Sequence, residues 1–427
     1  MQIESFHALA LRILRAQPEA AGLAAGFAVA DEARCRTASG VDAAMLAAIS
    51  RLKRSDTGDA ATRDARARLD TALRAQNLVD FDDLLRLACR VLEQDARWRG
   101  RFAHILVDKF QDVDETQYQL LTLLSDGQGR LCVIGDPNQA IYGFRGADAA
   151  CFARFAADHP QARTVRLQRN YRSSGAIVAA AAQLIGEDSP GPVRPMGTPA
   201  QLHAAADEQH EAEFVAASIA SLMGGHDLLS VRETTARLGF ADFAVLYRTD
   251  AQSAALRAAL DRAGIPFRKS TPAPIAGHAG VRALLTALGE GPVTRACLEQ
   301  AATRAPRELD PAVVAQARFW LEALQAPDAT SLREAVFLST EADFHDARGD
   351  RVSLLTMHAA KGLEFPVVFV TGLEAGLMPL HRGDPAEERR LLYVAITRAK
   401  DRLLLTHAAS RARRAQAPSP FLAANLF

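Results

Sequence analysis

The sequence predicts an α/β protein of two domains, each a parallel sheet flanked by helices and each carrying a helical insertion. Three observations predict it. Short apolar runs end in an acid, a turn follows, and helical periodicity then resumes, as in parallel strands with function at their C-terminal ends. These runs fall into two series separated by a Pro/Gly-rich break at residues 188–199. The chain has 427 residues, enough for two or three sizeable cores.

Taken in order, the first hundred residues read as helical. Phe6, Leu9, Ile13 and Leu14 recur at helical spacing, as do Leu84, Leu85, Leu87, Ala88, Val91 and Leu92. Between them an Ala/Arg/Asp-rich stretch, about 57–74, reads as an exposed helix. Residues 104–108 and 131–136 are the first apolar runs ending in an acid. After the break, 243–247 reads as a strand, 251–263 as a helix, and 352–356, 367–370 and 402–406 as further strands. Residues 272–347 interrupt this series with helices and loops. The expected organisation is a first domain over 1–187 with a helical insertion at about 20–78. A second domain follows over 188–410 with an insertion at about 272–347, and then a tail, 411–427.

Hydrophobic residues make up 49% and charged residues 23%, a soluble globular profile. The formal net charge is zero, which argues against a protein that coats nucleic acid by bulk charge and leaves room for a local basic groove. Cys35, Cys89, Cys132, Cys151 and Cys297 show no CxxC spacing and read as small buried residues of a reducing compartment. No apolar run reaches the roughly 20 residues that span a membrane, and Met1-Gln2-Ile3-Glu4 opens no signal peptide. The expectation is a cytoplasmic protein with no membrane partner.

Several blocks carry chemistry. Asp108, at the end of an apolar run, would sit at a sheet edge where a carboxylate can hold magnesium on nucleotide phosphates; alone it reads equally as a helix cap. Asp136-Pro137-Asn138-Gln139 supplies an acid and an amide that can sense a phosphate. Tyr142, Phe144 and Arg145 follow, aromatics beside a cation that suit single-stranded bases; singly, each aromatic reads better as core. Asn170-Tyr171-Arg172-Ser173 sets an arginine beside an aromatic, a pair that can clamp a purine and its phosphate. His358 to Phe365 follows a strand. Arg398 ends a helix whose apolar face is Leu391, Leu392, Ala395 and Ile396, and from there it can reach a phosphate. The bland alternative is a solvated helix with Glu388 paired to a neighbouring arginine.

Together and in this order, these blocks resemble the superfamily 1 DNA helicases of the UvrD/Rep/PcrA type. Ser5-Phe6-His7-Ala8-Leu9 looks like their block Ia, and Asp80-Phe81-Asp82-Asp83-Leu84-Leu85 is similar to another block. The likeness covers Ser5 to about Thr406. Asp114 to Leu121 and Gly135 to Asp148 are also similar to bacterial helicase modules fused to a PHP-type nuclease. The resemblance implies two RecA-like domains of the P-loop NTPase fold, binding ATP and Mg2+ between them and stepping 3′ to 5′ along single-stranded or partly duplex DNA in repair or recombination. By motif match Asp108 would hold the metal and Gln139 would sense the γ-phosphate. Tyr171 would stack on adenine, Arg172 and Arg398 would bind phosphates, and Glu364 would lie near the ribose. Phe6, His7, Tyr142, Phe144, Arg145 and His358 would line the DNA path.

Three departures accompany the likeness. No GxxxxGK[ST] occurs, so the backbone amides and lysine of a phosphate loop are missing. The chain opens almost on block Ia, which predicts a first domain without its N-terminal strand, with an unpaired sheet edge and an exposed apolar face. Lys109 stands where the family has the glutamate that polarises water, and its charge opposes magnesium. The 272–347 insertion is shorter than in duplex-unwinding members. The expectation is a helicase-family chain impaired in hydrolysis, its phosphate loop absent or supplied by a separate polypeptide. The alternative is a non-catalytic relative that binds DNA or a partner protein. A nuclease reading of the acids at 80–83 has little support, because the family likeness explains them as a helix start.

Overall fold

A computed structural model describes residues 2–55, 58–98, 100–125, 130–143, 147, 150–186, 190–224, 238–269, 275–288, 291–326, 328–337, 339, 344 and 349–422. The chain forms two compact units, Met1–Thr164 and Val165–Phe427.

The first unit runs α1 (Phe6–Ala16), β1 (Ala28–Val29), α2 (Glu32–Ser39), α3 (Ala43–Ser55), α4 (Ala60–Ala75), β2 (Leu78–Val79), α5 (Phe81–Gln94), β3 (His104–Val107), α6 (Glu115–Ser125), β4 (Arg130–Val133) and α7 (Cys151–Asp158). Side-chain oxygens start the two long-range packers. Ser5 Oγ accepts the Ala8 N–H at 3.2 Å, and the Asp80 carboxylate accepts the Asp83 N–H at 2.8 Å. The apolar faces read from the sequence then meet: Leu11, Ile13 and Leu14 of α1 share one buried cluster with Leu84, Leu85, Val91 and Leu92 of α5 and Leu120 and Leu124 of α6. The inserted helices α2–α4 bury Cys35, Ile49, Ala65, Leu69 and Leu73 in a cluster of their own.

β3 and β4 pair in parallel, with Ile105 opposite Leu131 and Val107 opposite Val133. One face is covered, since Val107 packs with Phe110, Val113, Tyr118, Leu121 and Cys151. On the other face Leu106 is 69% and Ile134 47% exposed. Among the described residues, Leu106 and Ile134 thus leave apolar surface in water.

The second unit runs β5 (Arg169–Asn170), α8 (Gly175–Ile185), β6 (Gly191–Pro192), β7 (Gln201–Ala205), α9 (Glu208–Met223), β8 (Phe243–Tyr247), α10 (Ser253–Arg262), β9 (Phe267–Lys269), α11 (Ala279–Ala287), α12 (Arg295–Thr303), α13 (Pro311–Ala323), α14 (Ala329–Phe337), β10 (Val352–Thr356), β11 (Phe365–Val370), α15 (Pro385–Ile396) and β12 (Ala399–Ala408). Six strands form one sheet in the order β7-β12-β11-β8-β10-β9, all parallel. Helices α9 and α10 cover one face through Val215, Ile219, Leu256 and Leu260, and α8 and α15 pack on β12. Every residue of β8 is fully buried, as a central strand of a doubly covered parallel sheet must be. Helices α11–α14 bury Val281, Leu284, Leu298, Trp320 and Leu332 in a separate cluster, the expected inserted subdomain.

Two boundaries differ from the sequence reading. The first domain was expected to run to 187, but the second unit begins at Val165. The reason is hydrogen bonding across 226 residues of sequence: Ser173 Oγ donates to the Ala399 carbonyl at 2.6 Å, and the Ser174 N–H donates to that of Lys400 at 2.8 Å. The tail expected from 411 is part of the unit as far as it is described. Arg411 Nε donates to Glu374 at 2.6 Å, the Ala375 N–H donates to the Ala417 carbonyl at 2.8 Å, and Phe421 is buried. The five cysteines are free. No described helix is long and apolar enough to cross a membrane.

At the base of the insertion the Lys53 ammonium is fully buried and lies 2.7, 2.5 and 2.8 Å from Asp70, Asp80 and Asp83. Burial pulls the lysine pKa down, but the Asp80, Asp83 and Asp70 carboxylates more than offset this and hold it above its ordinary value. Asp80 and Asp83, among the acids a nuclease reading would have used, thus already hold a cation together with Asp70. Removing it would leave three acids crowded in low dielectric. Lys53→Ala is expected to cost about 3–5 kcal/mol, read as a lower urea midpoint at unchanged slope; a loss under about 1 kcal/mol would mean the cluster behaves as a surface ion pair.

Candidate functional site

The second unit gathers four of the residues that carry the resemblance, or adjoin them, at the N-terminal ends of β11 and β12. These strands are neighbours, with Phe365 opposite Ala399, so the residue before each start lies at one end of the sheet. The turn after β5 is shaped by Asn170, whose Oδ1 accepts the N–H groups of Arg172 and Ser173, both at 3.0 Å. Tyr171 at its apex is 66% exposed, high for an aromatic of its size. Beside it Arg172 Nε donates to Glu364 Oε2 at 2.7 Å, and Lys400 Nζ lies 2.7 Å from Glu364 Oε1. The Lys400 hydrogen bond, and then Arg172, hold the Glu364 carboxyl below the usual glutamate range. Two cations around one carboxylate leave a net positive charge beside an exposed aromatic face.

Arg398 behaves differently. It is 1% exposed, with Nε donating to the Val394 carbonyl at 2.9 Å, Nη1 to that of Leu363 at 3.2 Å and Nη2 to Thr397 Oγ1 at 3.1 Å. Its guanidinium faces inward, tying the end of α15 to the residues that precede β11, and Arg172 is the more exposed of the two arginines. Glu388 is buried and takes a forked contact from Arg248, with Nη2 to Oε1 at 2.6 Å and Nε to Oε2 at 3.0 Å. The ion pair expected for Glu388 exists, but its partner is 140 residues away and holds α15 against the end of β8. His358 is half-buried just after β10.

In the first unit Asp108 follows β3 and is exposed. Its carboxylate lies 3.1 Å from the Lys109 ammonium and accepts the Lys109 N–H at 2.9 Å. The hydrogen bond from the Lys109 side chain holds the Asp108 pKa down. Lys109 itself adopts φ +53°, a left-handed backbone that costs a lysine free energy. Gln139 Nε2 donates to Asp136 Oδ2 at 2.9 Å. Phe6 and Tyr142 are half-buried, Phe6 against the helical core. Phe144 and Arg145 lie outside the described residues. The His7 ring stacks on Phe81 at 3.8 Å.

Lys400 was not singled out from the sequence, nor was the way Asn170 shapes the turn. Lys400 is the second residue of an apolar strand, and only the parallel pairing of β12 with β11 brings it to Glu364.

This fold is α/β with parallel sheets of the RecA-like kind. Residues 35–160 match the UvrD/REP helicase N-terminal domain, and residues 165–272 and 328–410 match the UvrD-like helicase C-terminal domain. The gap between the last two pieces falls within the separately packed subdomain of α11–α14. The chain is 30% identical to the ATP-dependent DNA helicase PcrA of Leuconostoc citreum over 99% of its own length and 74% of that protein's. It is 34% identical to the ATP-dependent DNA helicase UvrD2 of Mycobacterium tuberculosis, covering 81% of this chain and 54% of that one. With UvrD1 of the same organism the identity is 31%, over 79% and 60% respectively. The chain belongs to the UvrD-like DNA helicase family, and it spans between about half and three quarters of the length of these relatives.

Burial, and then the charge of Arg54, lowers the His7 pKa from 6.5 to about 4. Between those values the unfolded chain binds a proton that the folded chain does not, so the contribution of His7 to stability falls as pH drops through this window. Asp80, pushed up to about 6 by burial and then by Asp83, works in the opposite sense. It cancels in a comparison of the native chain with His7→Gln. The expected result is a melting-temperature difference that moves against the native chain from pH 6.5 to 4; a flat difference would mean that the ring is open to water.

Proposed function

We propose that this chain is a UvrD-type ATP-dependent DNA helicase or translocase module, acting on single-stranded or partly duplex DNA in repair or recombination and impaired in hydrolysis. The observation that carries the nucleotide reading is the exposed Tyr171 ring beside Arg172 and Lys400, which share Glu364. Here Tyr171 stacks on adenine, Arg172 meets phosphate, and Glu364 serves the ribose end. Arg398 joins the phosphates only by leaving its three oxygen acceptors. Gln139 senses phosphate on release from Asp136. Phe6, His7, Tyr142, Phe144, Arg145 and His358 supply the DNA path, with movement 3′ to 5′ as in the family.

Magnesium does not fit the residues present. Asp108 is the expected ligand, and an ammonium 3.1 Å away already neutralises it. No step is assigned to the metal, and Lys109, an ammonium paired with Asp108, is no substitute for a carboxylate base. This same ion pair favours the second reading, a non-catalytic chain that binds DNA or a partner protein. A separate polypeptide bringing a phosphate loop would restore the missing amide contacts.

Hydrolysis by the purified chain, with and without single-stranded DNA, separates these readings. The expected outcome is no DNA-stimulated turnover in a folded sample that still binds a fluorescent single-stranded oligonucleotide and ADP. Stimulated turnover would overturn the impairment, and a folded sample that binds neither ligand would overturn the family-like function.

A further inference from the structure

We infer that Arg194, within the Pro/Gly-rich break at 188–199, is a positioning residue for the Tyr171–Arg172 turn; this rests on the nucleotide reading above. Arg194 Nη1 donates to the Arg172 carbonyl at 2.6 Å and to the Lys400 carbonyl at 3.1 Å, and Nη2 meets the Asp401 carboxylate. One planar cation thus joins the turn that presents the aromatic ring to the strand start that presents Lys400. The acceptors are two carbonyls and a carboxylate, a set that suits the fixed fork of a guanidinium and not the point charge of a lysine.

The residues after Arg194 complete the hold. The Pro195 carbonyl accepts the Gly175 N–H at 2.9 Å and the Met196 carbonyl accepts that of Ala176 at 2.8 Å, satisfying two amides of the first turn of α8 that have no partner within the helix. Contact is close enough to fix the residue types. A Cβ on Gly175 would lie 2.6 Å from Met196 Sδ and 3.1 Å from its Cα. At Gly197 the backbone has φ +69°, and a Cβ would lie 2.8 Å from the Ser174 Cβ. The turn is therefore held by β12 through Ser173 and Ser174, and by the 194–197 segment through Arg172 and α8.

The Arg194–Asp401 pair is 35% and 47% exposed, so its charge attraction alone is worth little. What it supplies is direction: the carboxylate orients the guanidinium so that Nη1 reaches both carbonyls. With Arg194 gone, the Arg172 carbonyl and one lone pair of the Lys400 carbonyl return to water. The Asn170 contacts remain, so the turn persists but its angle to β12 is no longer fixed.

Hydrogen exchange and ADP titration on the full chain test this. In Arg194→Ala the amides of Ser174, Gly175 and Ala176 are expected to exchange faster, with ADP binding roughly tenfold weaker and the melting temperature shifted by less than about 2 °C. Arg194→Lys is expected to follow Arg194→Ala, because the donors of an ammonium radiate from one nitrogen and cannot span acceptors that Nη1 and Nη2 of the planar fork meet separately. Asp401→Ala, which leaves the fork in place without its orienting carboxylate, is expected to give a smaller change in the same direction. Unchanged exchange and unchanged ADP affinity in Arg194→Ala would overturn the assignment, as would full rescue by lysine. If the native chain binds no ADP, the nucleotide reading fails, and the exchange rates still decide what Arg194 holds.

Discussion

A parallel sheet exposes no natural solvent face: its strands are apolar on both sides, so each side must be covered. The second unit meets that constraint at its central strands, while Leu202 on the edge strand β7 stays 41% exposed. Its six strands are clad by α9 and α10 on one face and by α8 and α15 on the other, and β8 is buried along its whole length. The first unit meets it on one face only. Val107 is packed against Phe110 and Tyr118, while Leu106, the residue before it, stands 69% in water. The two units therefore carry family likeness of unequal structural weight. The unit with the six-stranded sheet also carries Tyr171, Arg172, Glu364 and Lys400.

Charge is handled by the same logic of burial. Lys53 among its three aspartates, Glu388 with Arg248, and Arg411 with Glu374 and Glu211 are each enclosed and paired, and each ties elements distant in sequence. Such pairs add little net stability over apolar packing, but removing one member is costly, so they act as fixed joints. At the candidate site the balance is different. Glu364 is shared by two cations at the surface, where the interaction is weak enough for an incoming phosphate to compete. Asp108 is more exposed, 72% against 41% for Glu364, and its cation is the adjacent Lys109, which stands where a divalent ion would be expected.

Much of this was legible in the sequence. The apolar runs at 104–108, 131–136, 243–247, 352–356 and 367–370 became strands because their length and flanking turns left no other reading. Arg172 and Glu364, from motifs far apart in the chain, meet in a hydrogen bond, with Tyr171 exposed next to Arg172 in the sequence. What the sequence did not show depends on contacts between distant segments. The unit boundary at Val165 follows from Ser173 and Ser174 bonding to β12, and no local composition marks that pairing. Arg194 read only as part of the break between the two series because Pro and Gly surround it; Gly197 lets its segment approach α8. Arg398 read as a reaching arginine, yet carbonyls from two segments draw it inward. Lys400 had no signal beyond its charge, since register alone places it.

The central proposal is that the Tyr171 cluster of the second unit holds nucleotide without help from magnesium. Equilibrium binding of ATP to the purified chain, in the presence of Mg2+ and again with the metal chelated, tests it most directly. The account predicts affinities within about twofold of each other, a difference under roughly 0.5 kcal/mol, both lost in Tyr171→Ala. Tenfold or greater strengthening by Mg2+ would contradict it and would require a metal site in which Lys109 releases Asp108.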